Sequence, residues 1–478
     1  MSSRVFIKNM ISSVAVRLLV PLGSFAIFVM IARLMGVVIV GKYTLIVTLF
    51  GVFQFLASLG LTPLVIREIT QQRETPARIY SAALTICFIS CLLWAPCLVI
   101  FAWFSSYPAD VLYASLFIAA GLPFAFVSII NEAVLMGMER FEFIPVINLT
   151  ETVFIIAASL AVVWSGRGIV ALSVVLVCGR GISASAGLWL LLRKTRLVHL
   201  EFDRKLFVRL IQMLPPFFVN YAFGIIFYRI DVLMLALLVP ERELGFYSTA
   251  YKLFVIALIL PESFACAMYP QLSKAANDGH IQAATIMSIR YALLCLTPIV
   301  LTFYAFNETL VTLIFGEQFR QATATLDILI WLLPLQVINS ILSNVFVSCN
   351  LERLTAALTV AVTVLAAILC IPLITRLGYK GAAVSLLITQ TICFMTLAVM
   401  LRRKPLNISI IKDFMICSLP ALLGSTTAGL LVAGSSAARF LIAMTTAMIV
   451  AWVLKLVTKD ELFSLTRKIF PGFMAPAD

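Results

Sequence analysis

The sequence predicts an all-α polytopic membrane protein with about fourteen transmembrane helices. Of its 478 residues, 62% are hydrophobic and only 12% are charged, and the mean hydropathy is +1.08. Soluble domains contain about half apolar and about a quarter charged residues. Apolar runs long enough to cross a bilayer also recur along the whole chain, which argues against a soluble protein with a buried core.

The distribution of basic residues predicts the orientation of the chain. Of the 35 Lys and Arg residues, we assign 22 to one alternate set of loops and termini, 7 to the other set and 6 to the spans. Cytoplasmic loops carry the excess of basic residues in membrane proteins. We therefore expect both termini to be cytoplasmic and the number of spans to be even. The net charge of +13 then reflects membrane topology rather than nucleic-acid binding.

The first six spans are predicted between a short basic N-terminus and a long basic loop. Arg4 and Lys8 precede the first span, and no small-residue cleavage pattern follows, so we expect no cleavable signal peptide. Each span is an apolar run bounded by polar breaks such as REITQQRETPAR and GMERFE. The predicted spans are 11–35, 43–66, 79–104, 111–136, 143–164 and 169–192.

The longest basic segment, 193–209, separates two predicted six-helix halves. It contains six Lys or Arg residues, which we assign to the cytoplasm. The predicted domains are an N-terminal bundle at 1–195, a cytoplasmic linker at 196–208, a C-terminal bundle at 209–404, two further helices at 405–457 and a cytoplasmic tail at 458–478.

Eight more spans are predicted after the linker. A polar hinge from Pro240 to Leu244 joins the first two, and the outer loop 307–322 is expected to be partly helical. The C-terminal tail mixes apolar and charged residues and fits either a helix on the inner leaflet or a solvated segment. The predicted spans are 211–239, 246–272, 281–306, 322–348, 355–374, 381–401, 414–432 and 440–456.

A short internal repeat predicts how the two halves are related. Spans 1 and 2 meet at LMGVVIVGKYTLIV, spans 7 and 8 meet at LLVPERELGFYSTAY, and a Gly-x-Tyr opens the second helix of each pair. We expect Gly41 and Gly245 to form tight turns, and Tyr43 and Tyr247 to lie at the membrane interface. The repeat has the same orientation in both halves. It predicts two six-helix bundles related by a pseudo-two-fold axis along the membrane normal, plus two C-terminal helices.

Charged residues within the spans are the candidate functional residues, because an ionised side chain at membrane depth needs water or a partner. One interpretation is structural ion pairing between helices, for instance of Asp231 with Lys252. Arg33, Glu132 and Arg290 also fit simple snorkelling to an interface. The other interpretation is a hydrated cationic cavity between the halves. Its basic candidates are Arg17, Arg180, Arg229, Lys252 and Arg290, and the acidic candidates for ion coupling are Glu132, Glu151, Asp231 and Glu262, with Asp327 at the outer end of span 10.

A cationic cavity favours an anionic substrate. Arginine presents a planar fork of donors that suits phosphate or carboxylate. A diphosphate that links a sugar to a lipid fits such a cavity, because the head group can enter it while the lipid tail stays in the bilayer. The sequence contains no catalytic or metal-ligating constellation. We therefore expect no cofactor, and only H⁺ or Na⁺ as a coupling ion bound by the buried acids.

Four segments carry a family resemblance. They are IARLMGVVIVGKYTLIVTLFGVFQFLASLGLTPLVIREIT, RIDVLMLALLVPERELGFYSTAYKLF with YPQLSKA, LIFGEQFRQATATLDILIWLLPLQVINSILSNVFVSCNLER, and IPLITRLGYKGAAVS. In this order they resemble the first helix pair, the seventh and eighth helices, the outer loop with the tenth helix, and the junction of the eleventh and twelfth helices of the polysaccharide flippases (Wzx type). These flippases belong to the multidrug/oligosaccharidyl-lipid/polysaccharide (MOP) exporter superfamily. Because the similar segments follow in the same order from the first helix pair to the twelfth helix, the resemblance covers nearly the whole chain.

The resemblance implies a MATE-like fold whose two bundles rock between inward-open and outward-open states. It implies a flippase, not an enzyme, in the bacterial inner membrane. This flippase would carry an undecaprenyl-diphosphate-linked oligosaccharide, such as an O-antigen or exopolysaccharide repeat unit, to the periplasmic leaflet. A polysaccharide polymerase and a chain-length regulator are the implied partners.

The resemblance also assigns roles to individual positions. Arg17 matches a basic cavity position of the first helix, and Arg229 and Asp231 match a charged run at the end of the seventh. Many relatives carry an acid where this chain has Ser58, so an ion-coupling role does not transfer to that position.

Other functions stay open at this point. A peptidoglycan-precursor flippase or a drug/cation antiporter would share the superfamily, although a drug-cation exporter favours an acidic cavity. A membrane polysaccharide polymerase or glycosyltransferase generally needs a large external loop, and the longest outer loop here, 307–322, is short. A non-transporting scaffold would not need charges within the membrane.

Overall fold

The computed structural model describes residues 3–72, 74–105, 107–195, 203–402, 410–431, 435–454 and 456. Side chains are described within these ranges except at 3–19, 194–195, 216–217 and 219–228. Three sequence predictions therefore lie wholly or partly outside the described part: the side chain of Arg17, residues 196–202 of the linker predicted at 196–208, and the tail at 458–478. The described residues form helices and connecting turns without a β-strand, which confirms the predicted all-α class.

The described residues form fourteen α-helices. Twelve helices are long and apolar enough over their described residues to cross a membrane. Short 3₁₀ helices occupy Phe141–Phe143 and Glu317–Ala322. The α-helices are α1 (Ser3–Ser58), α2 (Leu61–Thr70), α3 (Pro76–Phe104), α4 (Ala109–Gly137), α5 (Ile144–Trp164), α6 (Ile169–Thr195), α7 (Arg204–Leu238), α8 (Glu241–Asn277), α9 (Ile281–Phe315), α10 (Thr323–Ser348), α11 (Glu352–Leu377), α12 (Tyr379–Leu401), α13 (Ile411–Leu431) and α14 (Ser436–Val453).

The first two predicted spans are two arms of α1. Gly36 interrupts the helix with φ 84° and ψ 179°, a conformation open mainly to glycine. A second break, at Leu59 and Gly60, has φ of 51° and 72° and separates α1 from α2, which completes the second span. Both predicted spans are helical, and a break at one glycine replaces the loop that the sequence predicts between them.

The roles predicted for the Gly-x-Tyr repeat are wrong. Gly41 lies within α1 and Gly245 lies within α8, so neither residue forms a turn. Each glycine instead packs against the backbone of the other helix. Tyr43 and Tyr247 are 8% and 0% exposed, so neither ring projects from the outer surface of the protein as an aromatic residue at a membrane interface would. The shared motif therefore marks a close helix contact.

Helix ends extend beyond the predicted spans. The hinge before α8 is shorter than predicted, because α7 ends at Leu238 and α8 begins at Glu241. The outer loop 307–322 is confirmed as partly helical: α9 continues to Phe315, and the 3₁₀ helix Glu317–Ala322 follows. The apolar run ends at polar residues such as Asn307, but the backbone hydrogen bonds of the helix continue beyond them. The ends of a helix therefore need not coincide with the ends of its apolar run.

The chain divides into two compact units. The first contains Met1–Lys252, Ile314–Ala322 and Thr359–Ser385. The second contains Leu253–Leu313, Thr323–Leu358 and Leu386–Asp478. The two halves predicted on either side of 196–208 stay a prediction.

Buried polar contacts hold helices together in the first unit. The Ser128 and Ser183 hydroxyls lie 2.7 Å apart between α4 and α6. The Tyr80 hydroxyl donates to Oδ1 of Asn131 at 2.8 Å, and Nδ2 of Asn131 donates to the Ala184 carbonyl at 2.9 Å. Such bonds stabilise helix packing in lipid, where burial of apolar surface provides little driving force.

The second unit is held together in a similar way. Nδ2 of Asn339 donates to Oε1 of Gln390 at 2.7 Å, and Nε2 of Gln390 donates to Oε1 of Gln336 at 2.8 Å. Helices α13 and α14 approach closely at Gly424, where an added Cβ would lie 2.6 Å from the Ala443 carbonyl oxygen. Small residues at a helix contact are typical of membrane proteins.

Large apolar side chains cover much of the outside of the helices. Leu92, Leu430 and Trp452 are 79%, 86% and 75% exposed, although they lie within helices of spanning length. Exposed apolar side chains on this many helices are unusual for a soluble monomer. With the twelve apolar helices, it identifies a multi-pass membrane protein.

Candidate functional site

A polar cavity of about 470 Å³ lies within the first unit. Helices α1, α2, α4, α5, α6 and α7 line it. Its charged lining residues are Glu132, Glu151, Arg180 and Arg229. The fold therefore brings four of the predicted site residues, from four different spans, to one cavity.

Arg180 and Glu151 form an ion pair across α6 and α5. Nη1 of Arg180 lies 3.3 Å from Oε1 of Glu151 and 3.4 Å from Oε2. The two side chains are 31% and 9% exposed. Gly179 lets the helices approach at this level, because an added Cβ would lie 2.6 Å from Cγ1 of Ile155. The guanidinium is thus anchored on one side and keeps donors free for the cavity.

Arg229 and Lys252 provide cations that form no close ion pair with a described carboxylate. Arg229 lines the cavity and forms no ion pair with any residue that the structure describes. Nζ of Lys252 donates to the Ser24 hydroxyl at 2.8 Å and lies 5.6 Å from the centre of the Phe28 ring. Ser24 also lines the cavity, so the ammonium group of Lys252 lies beside it.

Glu132 is the unpaired carboxylate of the cavity. It lines the cavity from α4 and forms no ion pair or hydrogen bond with any described residue. It therefore differs from Glu151, which forms a close ion pair with Arg180.

Uncharged polar residues complete the lining, and the sequence reasoning missed them. Tyr43, Gln54, Ser58 and Thr62 face the cavity from α1 and α2, and Asn148 faces it from α5. The α1 and α2 residues recur at intervals of three or four, with Val47, Phe50 and Gly51 between them, which is the spacing of one helix face. Polar residues at this spacing within an apolar span were the signal that could have identified them.

Asp231 lies outside the cavity lining. It is 1% exposed and accepts a hydrogen bond from the hydroxyl of the fully buried Tyr247. Among the described residues it forms no ion pair with Lys252, so the pair offered as the structural alternative is absent. Asp231 joins α7 to α8 through a hydrogen bond.

The remaining candidates have local partners. In the first unit, Nε of Arg33 donates to the Ile314 carbonyl at 2.7 Å. In the second unit, Ser340 donates to Oε2 of Glu262 at 3.1 Å, and Nε of Arg290 donates to a backbone carbonyl near the C-terminal end of the described chain. Asp327 accepts a hydrogen bond from the side-chain amide of Asn307.

Comparisons with known proteins identify related sequences. Residues 6–276 match a family model described as polysaccharide biosynthesis protein. The chain is 27% identical over 165 residues to the probable low-salt glycan biosynthesis flippase Agl15 of Haloferax volcanii. This alignment covers 34% of the chain and 35% of that protein, so the chain matches about a third of its curated relative.

Solved structures share the fold. The lipid II flippase MurJ in an inward closed conformation superposes with a TM-score of 0.75 at 15% identity, and covers 96% of this chain and 100% of that one. An inward-facing multidrug resistance MATE family transporter of the MOP superfamily gives 0.62 at 13% identity, covering 81% and 99%. A MOP superfamily transporter from Pyrococcus furiosus gives 0.57 at 12% identity, covering 87% and 95%. The predicted MATE-like fold is confirmed.

Proposed function

The chain belongs to the polysaccharide biosynthesis protein family, and from this premise we propose that it is a flippase for a lipid-linked oligosaccharide. Its substrate would be an undecaprenyl-diphosphate-linked repeat unit of an O-antigen or exopolysaccharide, moved from the cytoplasmic to the periplasmic leaflet by alternating access. The similar proteins described above are flippases and transporters rather than enzymes, which supports transport.

The observation that carries this proposal is the pair of cations at the cavity that form no ion pair with a described residue. Arg229 has no ion-pair partner among the described residues, and Lys252 bonds to a neutral hydroxyl. A diphosphate that enters would not need to displace a carboxylate from either cation. Charge-assisted hydrogen bonds from arginine and lysine to phosphate oxygens are among the strongest polar contacts in proteins. The site therefore suits a diphosphate.

The uncharged lining suits the sugar part of the same substrate. Gln54 and Asn148 offer amide donors and acceptors, and Tyr43 offers a hydroxyl. Sugar hydroxyls both donate and accept hydrogen bonds, so they pair with such groups without a net charge. The lipid tail is apolar and can remain in the bilayer, against the exposed apolar helix surfaces.

Two functions from the same superfamily are the alternatives. A peptidoglycan-precursor flippase would carry another lipid-linked diphosphate, and the similarity in fold to MurJ is compatible with it. A MATE-like antiporter for organic cations fits less well, because Arg229 and Lys252 would repel a cation at the cavity. Competition between lipid-linked oligosaccharide and lipid-linked peptidoglycan precursor separates the first alternative from the proposal.

We further propose the setting in which the flippase works. Transport would be coupled to H⁺ or Na⁺ through one of the acidic candidates, since an intramembrane carboxylate can exchange a cation. The protein would lie in a bacterial inner membrane with both termini cytoplasmic, as the basic loops indicate. A polymerase and a chain-length regulator would act on the units that it delivers.

The test uses the full chain reconstituted in proteoliposomes with a lipid-linked oligosaccharide. Flipping is measured as protection of the head group from a membrane-impermeant glycosidase. We expect Arg229→Gln to lower the initial rate about tenfold or more, because a charge-assisted bond to the diphosphate is lost. Arg353→Gln is the matched control, since this exposed arginine begins α11 outside the cavity. Equal rates for Arg229→Gln and the wild type would contradict the proposed site.

A deletion strain tests the place of the protein in the cell. We expect loss of surface polysaccharide with lipid-linked units retained on the cytoplasmic face. Complementation with Arg17→Gln or Arg229→Gln should fail although the variant protein reaches the membrane. Loss of polymer with single units already on the periplasmic face would indicate a polymerase or ligase instead, and would overturn the proposal.

A further inference from the structure

Two of the cations at the polar cavity lie at nearly the same depth in the helix bundle. Tyr247 on α8 donates a hydrogen bond to Asp231, which follows Arg229 on α7 by two residues. Lys252 follows Tyr247 by five residues, and only two residues join α7 to α8. Because the two helices run in opposite directions, this bond brings Arg229 and Lys252 to neighbouring turns.

Arg180 lies at this depth as well. Nζ of Lys252 donates to the Ser24 hydroxyl on α1. An added Cβ on the preceding residue, Gly23, would lie 2.3 Å from Cγ2 of Thr152 on α5. Thr152 follows the glutamate that pairs with the guanidinium of Arg180. The three cations therefore share one level of the first unit, the cationic level, which consists of Arg180, Arg229 and Lys252.

Glu132 lies at a different depth. Helices α4 and α6 run parallel, and an added Cβ on Gly187 of α6 would lie 2.8 Å from Nδ2 of Asn131 on α4. Arg180 precedes Gly187 by seven residues, whereas Glu132 follows Asn131 by one. At 1.5 Å per residue, the backbone of Glu132 lies about 12 Å from that of Arg180 along the helix axes, toward the C-terminal ends of α4 and α6.

Uncharged polar residues lie at the same end of the cavity as Glu132. An added Cβ on Gly137 of α4 would lie 2.9 Å from Cβ of Ile69 on α2. Glu132 precedes Gly137 by five residues and Thr62 precedes Ile69 by seven, and both helices run toward the same end, so Glu132 and Thr62 lie at a similar depth. Asn148 lies one turn beyond the ion pair on α5 in the same direction.

The two ends of the cavity therefore differ in charge. Among the described lining residues the cations are Arg180 and Arg229, both at the cationic level, whereas the carboxylate of Glu132 at the other end forms no ion pair or hydrogen bond with a described residue. A diphosphate held at the cationic level places its sugars along the uncharged polar lining toward Glu132. Sugar hydroxyls can donate to both oxygens of this carboxylate, and such charge-assisted hydrogen bonds are strong.

A carboxylate on one of these sugars meets the opposite situation. It is repelled by an ionised Glu132, or Glu132 has to take up a proton before the sugar can bind, and both cost binding free energy. The ion pair of Arg180 with Glu151 offers little compensation, because its own charges largely cancel. The cavity thus attracts an anion at one end and disfavours one at the other.

We propose that Glu132 is a specificity-determining residue, which selects lipid-linked repeat units with neutral sugars next to the diphosphate and disfavours units with uronic acids there. The inference rests on the proposed function, and it names the class of sugar that the same site accepts. It applies to the sugars that reach Glu132 and not to those farther from the diphosphate.

The test measures how well two competitors displace a labelled lipid-diphosphate-linked glucose disaccharide from the reconstituted full chain. One competitor is the same disaccharide without the label, and in the other glucuronic acid replaces glucose. We expect the wild type to bind the glucuronic acid competitor about tenfold more weakly. In Glu132→Gln the two affinities should agree within about twofold, because the repulsion is absent. This ratio is measured within one variant, so it does not depend on the amount of folded protein.

Two further variants complete the test. Glu132→Asp should keep the preference, because it keeps the carboxylate, and so should Glu352→Gln, whose exposed acid begins α11 outside the cavity. Equal binding of both competitors by the wild type, or a preference that persists in Glu132→Gln, would overturn the assignment while the proposed function stands. A wild type that binds and flips neither disaccharide would refute the proposed function, and the assignment with it.

Discussion

A methyl group at the crossing of α1 and α8 is expected to destabilise the protein strongly. An added Cβ on Gly41 would lie 1.9 Å from the Glu241 carbonyl oxygen and 3.1 Å from the Gly245 nitrogen. An added Cβ on Gly245 would lie 2.3 Å from the Val37 carbonyl oxygen. These positions fall short of an ordinary 3.4 Å contact by about 1.5 Å and about 1.1 Å. The obstacle in both cases is backbone, which cannot rotate away.

The magnitude follows from the need to move whole helices. Overpacking a well-packed contact costs about 1–3 kcal/mol, and a backbone obstacle places Gly41→Ala and Gly245→Ala near about 3 kcal/mol. Gly181→Ala is the matched control, because its added Cβ meets nothing within 4 Å. That variant should be neutral or more stable by about 0.5–1 kcal/mol, since alanine is the better helix former.

The assay is the free energy of unfolding in mixed micelles with increasing SDS, followed by near-ultraviolet circular dichroism. The double variant Gly41→Ala/Gly245→Ala gives a sharper test, because both methyls lie at the same crossing. Once the helices have parted for one methyl, the second needs little more room, so the two effects should add to less than their sum. Additive effects, or effects no larger than that of Gly181→Ala, would refute the close contact.

Two further changes test buried polar contacts of the first unit. The Glu68 side chain is 0% exposed, and its carboxylate lies 2.8 Å from Nη2 of Arg209 and 3.3 Å from Nη2 of Arg67. Glu68→Gln should lower the free energy of unfolding by about 2 kcal/mol, which is less than for a fully buried pair because both arginines are half-exposed. A double-mutant cycle with Arg209→Gln should show coupling between the two residues. Asn131→Ala removes the hydrogen bonds to Tyr80 and to the α6 backbone. It should lower the free energy of unfolding by about 1–2 kcal/mol in the same SDS titration. An unchanged unfolding midpoint would show that these hydrogen bonds contribute nothing to stability.

The transmembrane helices were predictable because every segment that crosses the bilayer has to meet the same two requirements. A segment that crosses it must be apolar over about 20 residues and must satisfy its own backbone hydrogen bonds. That requirement identified the helices, including both arms of α1. The apolar requirement did not identify where a helix ends when it continues beyond the apolar run. The predicted end of the ninth span at residue 306 is therefore too early, because α9 reaches Phe315.

The contacts between helices were less predictable. The Gly-x-Tyr repeat was visible in the sequence, yet a glycine is equally suited to a turn and to a close backbone contact. Gly36 takes the positive φ, at 84°, while Gly41 five residues later remains helical. Only the packing of α8 against α1 shows that Gly41 and Gly245 are contact residues.

The sequence also could not show which charged residues within the spans face the cavity, as Arg229 and Asp231 illustrate. The sequence places them two residues apart on α7, and residues at that spacing lie on opposite sides of a helix. Arg229 accordingly faces the cavity, while Asp231 is buried and accepts a hydrogen bond from Tyr247. Tyr247 follows Gly245 by two residues, so this bond joins α7 to α8 next to the crossing of α8 with α1. One short charged run therefore serves two purposes: Arg229 lines the cavity, and Asp231 joins α7 to α8 through its hydrogen bond.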